Sequence, residues 1–433
     1  MAKAHILVLP LPGQGHVTPL MELSHLLVDH GFEVTFVNTE AYHALVVGAL
    51  QAAGGTSALA GIHLASISDG MEDDEDRRDI SKLIGAYTRH MPGHLERLIA
   101  EMEADGRPKV KWLVSDVLGI RVASFWPVSV ACLAINLKIP KLTEEGLLNN
   151  KGWPERDETF QLAPGIPPLH TLQLPWNNIG TAEVQPISFE LFSQTDRLSA
   201  VAEMVVCNSF HEAKTGAFML LPPSVLPIGP LSSNRKSFGQ FLPEDTRCLR
   251  WLDAQPDGSI VYVAFGSTTV LEPCQFQELA LGLELAGWPF LWVVRPDLTT
   301  TGELSKAWYD EFQARGGQGH SGQLVLAHHV VACFVSHCGW NSTMEGVWNG
   351  LSFLCWPYFF DQYIDPNYVT DVWRTGLAVS PDTGGVVMKE ELRSWSRSSA
   401  TPRSGRGYVA RRCISQGRSS CDNLNKFVNL LSE

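Results

Sequence analysis

The sequence lacks any long apolar run. No stretch of 18 consecutive apolar residues occurs among its 433 residues, which argues against a membrane-spanning helix. Pro10 and Pro12 interrupt the short apolar run near residue 1, so we expect no signal peptide there. Both observations predict a protein without integral membrane association, and the unpaired cysteines described next predict that it is cytoplasmic.

Paired cysteine motifs are also missing. The nine cysteines form neither a CxxC motif nor a regular framework, which argues against a disulfide scaffold and a structural zinc site. Cys333, Cys338 and Cys355 lie in apolar stretches, where we expect buried, reduced thiols. No other cluster has the spacing of metal ligands, so we predict no metal.

Positive charge is scarce. Lys and Arg number 33 against 46 Asp and Glu, and the resulting net charge of −13 does not suit nucleic acid or an anionic membrane as a partner. The acidic run at 69–79 is typical of a solvated loop rather than a site. The length and the 45% hydrophobic content are sufficient for a large core and two domains.

The most informative stretch is 331–362, VACFVSHCGWNSTMEGVWNGLSFLCWPYFFDQ. Its apolar start, 332–336, predicts a buried strand that ends in the turn 337–340. A helix is expected next, with Asn341 or Ser342 as its N-cap and an end at 349–350. Because the first N–H groups of a helix are unpaired and carry the positive end of its dipole, this strand, turn and helix predict a phosphate site beside His337.

A second strand, 353–357, leads to Asp361 and Gln362. Ligands of open parallel sheets bind beyond the carboxyl ends of the strands, so these side chains should share an edge with His337. The carboxylate of Glu345 can accept hydrogen bonds from two sugar hydroxyls. This set predicts a nucleotide-sugar site; ordinary α/β core is the alternative, but it leaves the spaced polar residues unexplained.

HCGWNS at 337–342, with Glu345 and the pair Asp361–Gln362, resembles the donor-binding signature of plant secondary-product UDP-glycosyltransferases, which include flavonoid glucosyltransferases. The resemblance is specific after Val325 and looser elsewhere. It implies the GT-B fold, in which two doubly wound, parallel-sheet α/β domains face each other across a cleft. The resemblance implies these donor-binding residues: His337, Asn341 and Ser342 at the diphosphate, Glu345 at the ribose, and Asp361 and Gln362 at the sugar. Trp340, within the same motif, is also expected to belong to the donor site. Ser267, after a predicted strand at 260–264, is expected to meet phosphate from the opposite side.

The first half opens with a predicted strand at 5–9 and a glycine-rich loop at 10–17. Thr18 is the predicted cap of the next helix, and 32–37 is the next strand, so the chain begins with a βαβ unit. His16 therefore lies where a parallel sheet binds ligands, and an imidazole can take a proton from a hydroxyl near neutral pH. The resemblance makes His16 the general base and Asp116, after a strand at 110–115, the carboxylate that orients it.

Two other interpretations of this loop stay open. His16 is compatible with an ordinary solvent-exposed loop histidine. Gly13-x-Gly15 is also compatible with a dinucleotide fingerprint and thus with an NAD(P)-dependent oxidoreductase, although Thr18 occupies the position of the third small residue.

The chain departs from the resembled family in three places. Only Val117 separates Asp116 from a predicted strand at 118–125, whereas parallel neighbours need a crossover of a dozen or more residues, so either this strand pairs differently or the sheet is damaged. Gly319 and Gly322 stand where the family has a uracil-stacking tryptophan and a glutamine, which predicts UDP-sugar affinity roughly ten- to hundredfold weaker. Residues 394–407 lack amphipathic periodicity, and we interpret them as a shifted reading frame or mis-spliced segment.

The expected organisation is an acceptor-binding domain at 1–230, a linker at 231–243 and a UDP-sugar-binding domain at 244–433, whose helix at 422–433 packs back on the first domain. The aromatics and prolines of 126–176 predict an acceptor-pocket wall, with core packing as the alternative. The predicted reaction is inverting transfer of a hexose, glucose first, from a UDP-sugar to a hydroxyl of a small hydrophobic acceptor such as a flavonol, without a cofactor. A non-catalytic UDP-sugar-binding protein is the principal alternative.

Overall fold

The computed structural model describes residues 4–52, 59, 61–72, 77, 80–115, 122–179, 182, 184–194, 202–231, 247–295, 298, 323–397 and 417–432. The chain divides into two compact units. The first contains Met1–Ile166, His170–Pro243 and Gln416–Glu433, and the second contains Pro167–Leu169 and Glu244–Ser415. The predicted linker lies almost wholly outside the described residues, so its limits stay a prediction.

The first unit contains a parallel sheet with helices on both faces. Its strands are β1 (His5–Leu9), β2 (Glu33–Thr39), β3 (Ile62–Ile67), β4 (Val110–Ser115), β5 (Val122–Trp126), β6 (Thr159–Phe160), β8 (Met204–Cys207) and β9 (Val225–Pro227). The short strand β7 (Leu169–His170) lies at the division of the chain, since Leu169 is assigned to the second unit and His170 to the first. Within the described residues, seven of these form one sheet in the order β3-β2-β1-β4-β5-β8-β9, and β6 pairs with β7. The helices are α1 (Gln14–Asp29), α2 (Glu40–Ala52), α3 (Ile80–Ala104), α4 (Val130–Asn136), α5 (Ile139–Glu144), α6 (Gln185–Ser193) and α7 (Thr215–Phe218).

The central strand β1 is buried along its whole length, because both of its faces are covered. Ile6 and Val8 of β1 share one core with residues of α1, whereas the alternate residues Leu7 and Leu9 share another with Tyr87 of α3. This period-two alternation places β1 at the centre of the unit.

Strand β5 runs parallel to β4 and next to it, with Leu113 opposite Val122 and Ser115 opposite Ser124. The alternative in which this strand pairs differently is therefore wrong. Residues 116–121, which connect the strands and include Asp116, lie outside the described residues.

Two other predictions for the first unit need correction. Asp69 is not a solvated member of the acidic run, because its carboxylate is buried and accepts a hydrogen bond of 2.7 Å from Arg77 Nε. Trp176 is core rather than pocket wall: its side chain is fully buried, and its indole N–H donates to the carbonyl of Gly152 at 2.8 Å.

The second unit contains another parallel sheet. Its strands are β10 (Ile260–Ala264), β11 (Phe290–Trp292), β12 (Val331–Ser336), β13 (Ser352–Cys355) and β14 (Gly376–Ala378), in the order β11-β10-β12-β13-β14 within the described residues. Its helices are α8 (Arg247–Leu252), α9 (Pro273–Ala286), α10 (Gln323–Ala327), α11 (Trp340–Trp348), α12 (Asp365–Asn367) and α13 (Lys389–Arg397). As expected, Cys333, Cys338 and Cys355 are buried free thiols.

Helix α13 corrects part of the prediction for 394–407. The helix continues to Arg397, and its residues Leu392 and Trp395 are buried in the core of the second unit. Residues 398–407 lie outside the described ranges, so the interpretation as a frame shift stays a prediction there.

The helix α14 (Gly417–Ser432) belongs to the first unit. Its Phe427, Val428 and Leu431 are buried in the core that contains β1 and α1. Two side chains also bind the end of β9 and the residues that follow it, since Asn423 Nδ2 donates to the carbonyl of Pro227 and Ser420 Oγ to that of Gly229.

Both sheets are doubly wound, which confirms the predicted fold class. The strand order reverses between β1 and β4 in the first sheet and between β10 and β12 in the second. Open α/β sheets bind ligands at such reversals, beyond the carboxyl ends of the strands. None of the helices in the described part of the chain has the length and apolar character needed to cross a bilayer.

Candidate active site

The carboxyl ends of β1 and β4 form one edge of the first unit. Leu9 lies opposite Ser115, and the buried Ser115 hydroxyl donates to the Leu9 carbonyl at 2.7 Å. The hydroxyl of Tyr87 donates to the carbonyl of Pro10 at 3.1 Å. These bonds fix the start of the loop to His16 beside the residue that precedes Asp116, although Asp116 itself lies outside the described residues.

His16 lies in the first turn of α1 and is half-buried. The predicted start at Thr18 is wrong, because the N–H groups of His16 and Val17 already bind the carbonyl of Gly13 and Pro19 is accommodated inside the helix. This early start also removes the basis of the dinucleotide interpretation. Gly13 has φ 178°, an extended conformation that any residue adopts, and Gly15 lies within the helix.

A second edge lies at the reversal in the second sheet. Ser336, the last residue of β12, is opposite Ala264 of β10 and Cys355 of β13. The segments that carry Ser267, His337 and Asp361 therefore leave three neighbouring strands at the same edge.

The ring of His337 is enclosed by two glycines. A Cβ atom on Gly266, in the loop after β10, would lie 2.5 Å from His337 Nε2, and one on Gly339 would lie 2.6 Å from the same atom. Side-chain atoms do not approach this closely, so only glycine fits on either side of the ring. The imidazole thus joins the loop of Ser267 to the start of α11.

The environment of His337 keeps its imidazole neutral. Burial lowers the pKa of His337 to about 4, the backbone at Ala264 opposes this shift, and the positive charge of Arg295 adds to it. A neutral imidazole keeps one N–H donor, which suits a hydrogen bond to a phosphate oxygen without a full charge on the ring.

Helix α11 starts one residue before the predicted cap. Its N-cap is Gly339, so Asn341 and Ser342 are the second and third helical residues, and both are half-buried. Trp340, the first helical residue, has a side chain that is only 3% exposed and packs inward. The first turn therefore presents its N–H groups and the side chains of Asn341 and Ser342 at the edge where His337 lies.

Glu345 lies one turn further along α11. Burial raises the pKa of Tyr262 in β10, and the carboxylate of Glu345 raises it further. The carboxylate of Glu345, on α11, is therefore close enough to Tyr262 of β10 for their charges to interact.

Asp361 and Gln362 lie in a short 3-10 turn, Phe360–Tyr363, and both are buried. Gln362 Oε1 accepts hydrogen bonds from the backbone N–H groups of Tyr358 and Phe359, at 3.0 and 3.1 Å. These bonds fix the amide orientation and leave its NH₂ group as the donor for a ligand.

Sequence reasoning missed Arg295. Its guanidinium donates to the backbone carbonyls of Ser267 and Thr269 in the loop that encloses His337. Nothing in the surrounding sequence VVRP distinguishes this arginine from an arginine that follows any other strand.

Comparison with known proteins identifies the family of the chain. Residues 240–382 match the family model described as UDP-glucoronosyl and UDP-glucosyl transferase. UDP-glycosyltransferase 83A1 of Arabidopsis thaliana is 37% identical over 459 aligned positions, covering 99% of this chain and 97% of the relative. The chain belongs to the plant UDP-glycosyltransferase family. These are UDP-sugar-dependent transferases that act on small plant metabolites, so the oxidoreductase alternative is wrong.

Two further relatives support this assignment. Mogroside I-E synthase of Siraitia grosvenorii is 31% identical over 99% of this chain and 98% of its own length. A UDP-glucosyltransferase from Polygonum tinctorium, described as capable of glucosylating indoxyl and solved with 3,4-dichloroaniline, superposes with a TM-score of 0.80 at 26% identity, covering 100% of both chains. The two parallel-sheet domains of the glycosyltransferase thus have the GT-B fold.

Proposed function

We propose that the enzyme transfers a hexose, with glucose as the first candidate, from a UDP-sugar to a hydroxyl of a small hydrophobic acceptor. A flavonol such as quercetin, glucosylated at its 3- or 7-hydroxyl, is the acceptor class to test. The observation that carries this proposal is the convergence of His337, the loop of Ser267 and the first turn of α11 at one sheet edge, in a chain of this family. The indoxyl activity described for the Polygonum tinctorium relative supports a flat aromatic acceptor and glucose.

The second unit supplies the donor site in this proposal. His337, Asn341, Ser342, Ser267 and the N–H groups of α11 bind the diphosphate. Their dipoles are fixed before the reaction, so they stabilise the negative charge that develops on the leaving UDP. Glu345 accepts hydrogen bonds from the ribose, and Asp361 and the Gln362 amide bind the hexose.

The first unit supplies the base. His16 removes the proton of the acceptor hydroxyl, and Asp116 stabilises the resulting imidazolium. The acceptor oxygen forms a bond to the anomeric carbon while the bond from that carbon to the UDP oxygen breaks, so the configuration at the carbon inverts. The proton on His16 is then released to solvent.

Replacement of His16 tests this division of roles. We expect His16→Ala to lower glucosylation by about two to four orders of magnitude, which is the contribution of a general base, and to leave UDP affinity within about twofold. His30→Ala is a matched control, because His30 is another half-buried histidine at the opposite end of α1.

Turnover is measured with UDP-glucose and quercetin, and affinity by titration calorimetry with UDP. An equal fall in UDP affinity and turnover in His16→Ala would contradict the assignment of base and donor site to separate units.

A UDP-sugar-binding protein without turnover is the second candidate. It is favoured by Gly319 and Gly322, which stand where the family has a uracil-stacking tryptophan and a glutamine and which lie outside the described residues. Calorimetry with UDP and UDP-glucose, combined with the quercetin assay, separates the two candidates. Binding of UDP-glucose without any product would establish the binding protein instead of the enzyme.

A further inference from the structure

Arg295 lies just after β11, where its guanidinium binds the turn that follows β10. Nη1 donates to the carbonyl of Ser267 and Nη2 to the carbonyl of Thr269, each at 2.5 Å. Two short bonds from one planar fork to two carbonyls fix the turn more rigidly than a single flexible contact would.

The turn held in this way is part of the enclosure around His337. Its Gly266 lies against the imidazole, where a Cβ would reach within 2.5 Å of Nε2, and its Ser267 is a proposed phosphate ligand. Displacement of the turn would therefore shift a phosphate ligand and open one side of the His337 enclosure together.

Arg295 also carries a full positive charge, which the proposed phosphate-binding side chains of His337, Asn341, Ser342 and Ser267 lack. A guanidinium stays protonated at any physiological pH. Its charge reaches His337, since it contributes to the low pKa of that imidazole, behind burial as the main cause. With His337 neutral, Arg295 and the positive end of α11 are the described sources of attraction for a diphosphate.

We propose that Arg295 is a positioning residue of the donor site, which clamps the 267–269 turn against His337 and supplies a fixed positive charge to attract the diphosphate of the UDP-sugar. This inference rests on the proposed function of the same edge. It assigns Arg295 two separable contributions, a geometric one through two carbonyls and an electrostatic one through its charge.

Two variants separate these contributions. Arg295→Met removes both, whereas Arg295→Lys keeps the charge and loses the two-pronged clamp. Arg156→Met is the matched control, because Arg156 also donates to two backbone carbonyls, those of Glu145 and Gly146, but belongs to the first unit.

UDP affinity is measured by titration calorimetry at several salt concentrations. We expect Arg295→Met to weaken UDP binding by about tenfold to a hundredfold and to reduce its salt dependence, since one charge is lost. Arg295→Lys should show an intermediate affinity with the wild-type salt dependence. Arg156→Met should bind UDP like the wild type, and kcat should fall less than KM rises in Arg295→Met.

The His337 ring offers a readout that needs no ligand. Its proton titration, followed by NMR and assigned by loss of the signal in His337→Gln, should move to higher pH in Arg295→Met and much less in Arg295→Lys. Failure of the wild type to bind UDP would contradict the proposed function, while this titration would still test the electrostatic contribution of Arg295. Unchanged UDP affinity and an unchanged His337 titration in a folded Arg295→Met protein would overturn the inference.

Discussion

At the scale of single residues, the enclosure of His337 depends on an absent side chain. Gly266 combines a left-handed backbone, φ +68°, with a Cβ position 2.5 Å from His337 Nε2. We expect Gly266→Ala to displace the imidazole and to lower UDP affinity by about tenfold or more, a cost of roughly 1.4 kcal/mol or above.

Gly258→Ala isolates the clash from backbone strain in this prediction. Gly258 also has a positive φ, +59°, but no atom lies within 4 Å of its Cβ position. Both variants should lose about 1–2 kcal/mol of stability from the left-handed backbone, and only Gly266→Ala should lose UDP affinity. Equal UDP affinities in the two variants, measured by calorimetry, would contradict the enclosure.

The site residues that could be predicted from the sequence are those whose side chains are proposed to bind the ligand directly. His337 and Ser342 stand in a motif, and their chemistry alone suggests a phosphate. Arg295 acts through the backbone carbonyls of Ser267 and Thr269, and every residue has a carbonyl, so such a contact leaves no trace in the sequence. The enclosure of His337 between Gly266 and Gly339 was not predictable either, since it depends on two segments that meet only after folding.

At the scale of elements, α14 is the helix whose packing is most remote in sequence. Phe427 is fully buried in the core around β1 and α1. We expect Phe427→Ala to lower the free energy of unfolding of the first unit by about 3–5 kcal/mol, as other large-to-small core changes do. Lys426→Ala, at the adjacent exposed position, should change stability by less than about 0.5 kcal/mol.

Urea denaturation followed by tryptophan fluorescence measures both variants. If Phe427→Ala and Lys426→Ala were equally stable, α14 would not be part of the first unit's core.

Elements were predictable from sequence where an apolar run is bounded by turn residues. Strands β1, β4 and β10 have the predicted limits, because alternate residues of each are buried on two faces. Helix starts were less predictable. Thr18 and Asn341 are favourable caps, but α1 begins after Gly13 and α11 after Gly339, since the first carbonyl that accepts a helical bond belongs to a glycine in each case. The position of β5 beside β4 was not predictable, because the short connection left two alternatives open, a different pairing or a damaged sheet.

At the scale of the whole molecule, His337 couples the proposed donor site to acid stability. Its pKa is 6.5 ordinarily and about 4 in the folded protein, so the unfolded chain binds more protons between these values. The stability that comes from neutral His337 is complete above pH 6.5 and is lost as the pH falls toward 4, by roughly 3 kcal/mol. We expect His337→Gln to remove this part of the pH dependence.

Unfolding free energies of the wild type and His337→Gln, from urea titrations between pH 4 and 7.5, measure the effect. His30→Gln is the control and should follow the wild type. Parallel curves for the wild type and His337→Gln would show that His337 is not held neutral.

The return of α14 to the first unit affects how the protein is made. A chain emerging from the ribosome presents β1 to β9 long before residues 417–432 exist, and domains generally fold as they emerge. During that interval the hydrophobic surface that later receives Phe427, Val428 and Leu431 is open to water and to other nascent chains. The first half of this enzyme is thus finished after the second half, and chaperones have the greatest opportunity to act on the half that carries His16.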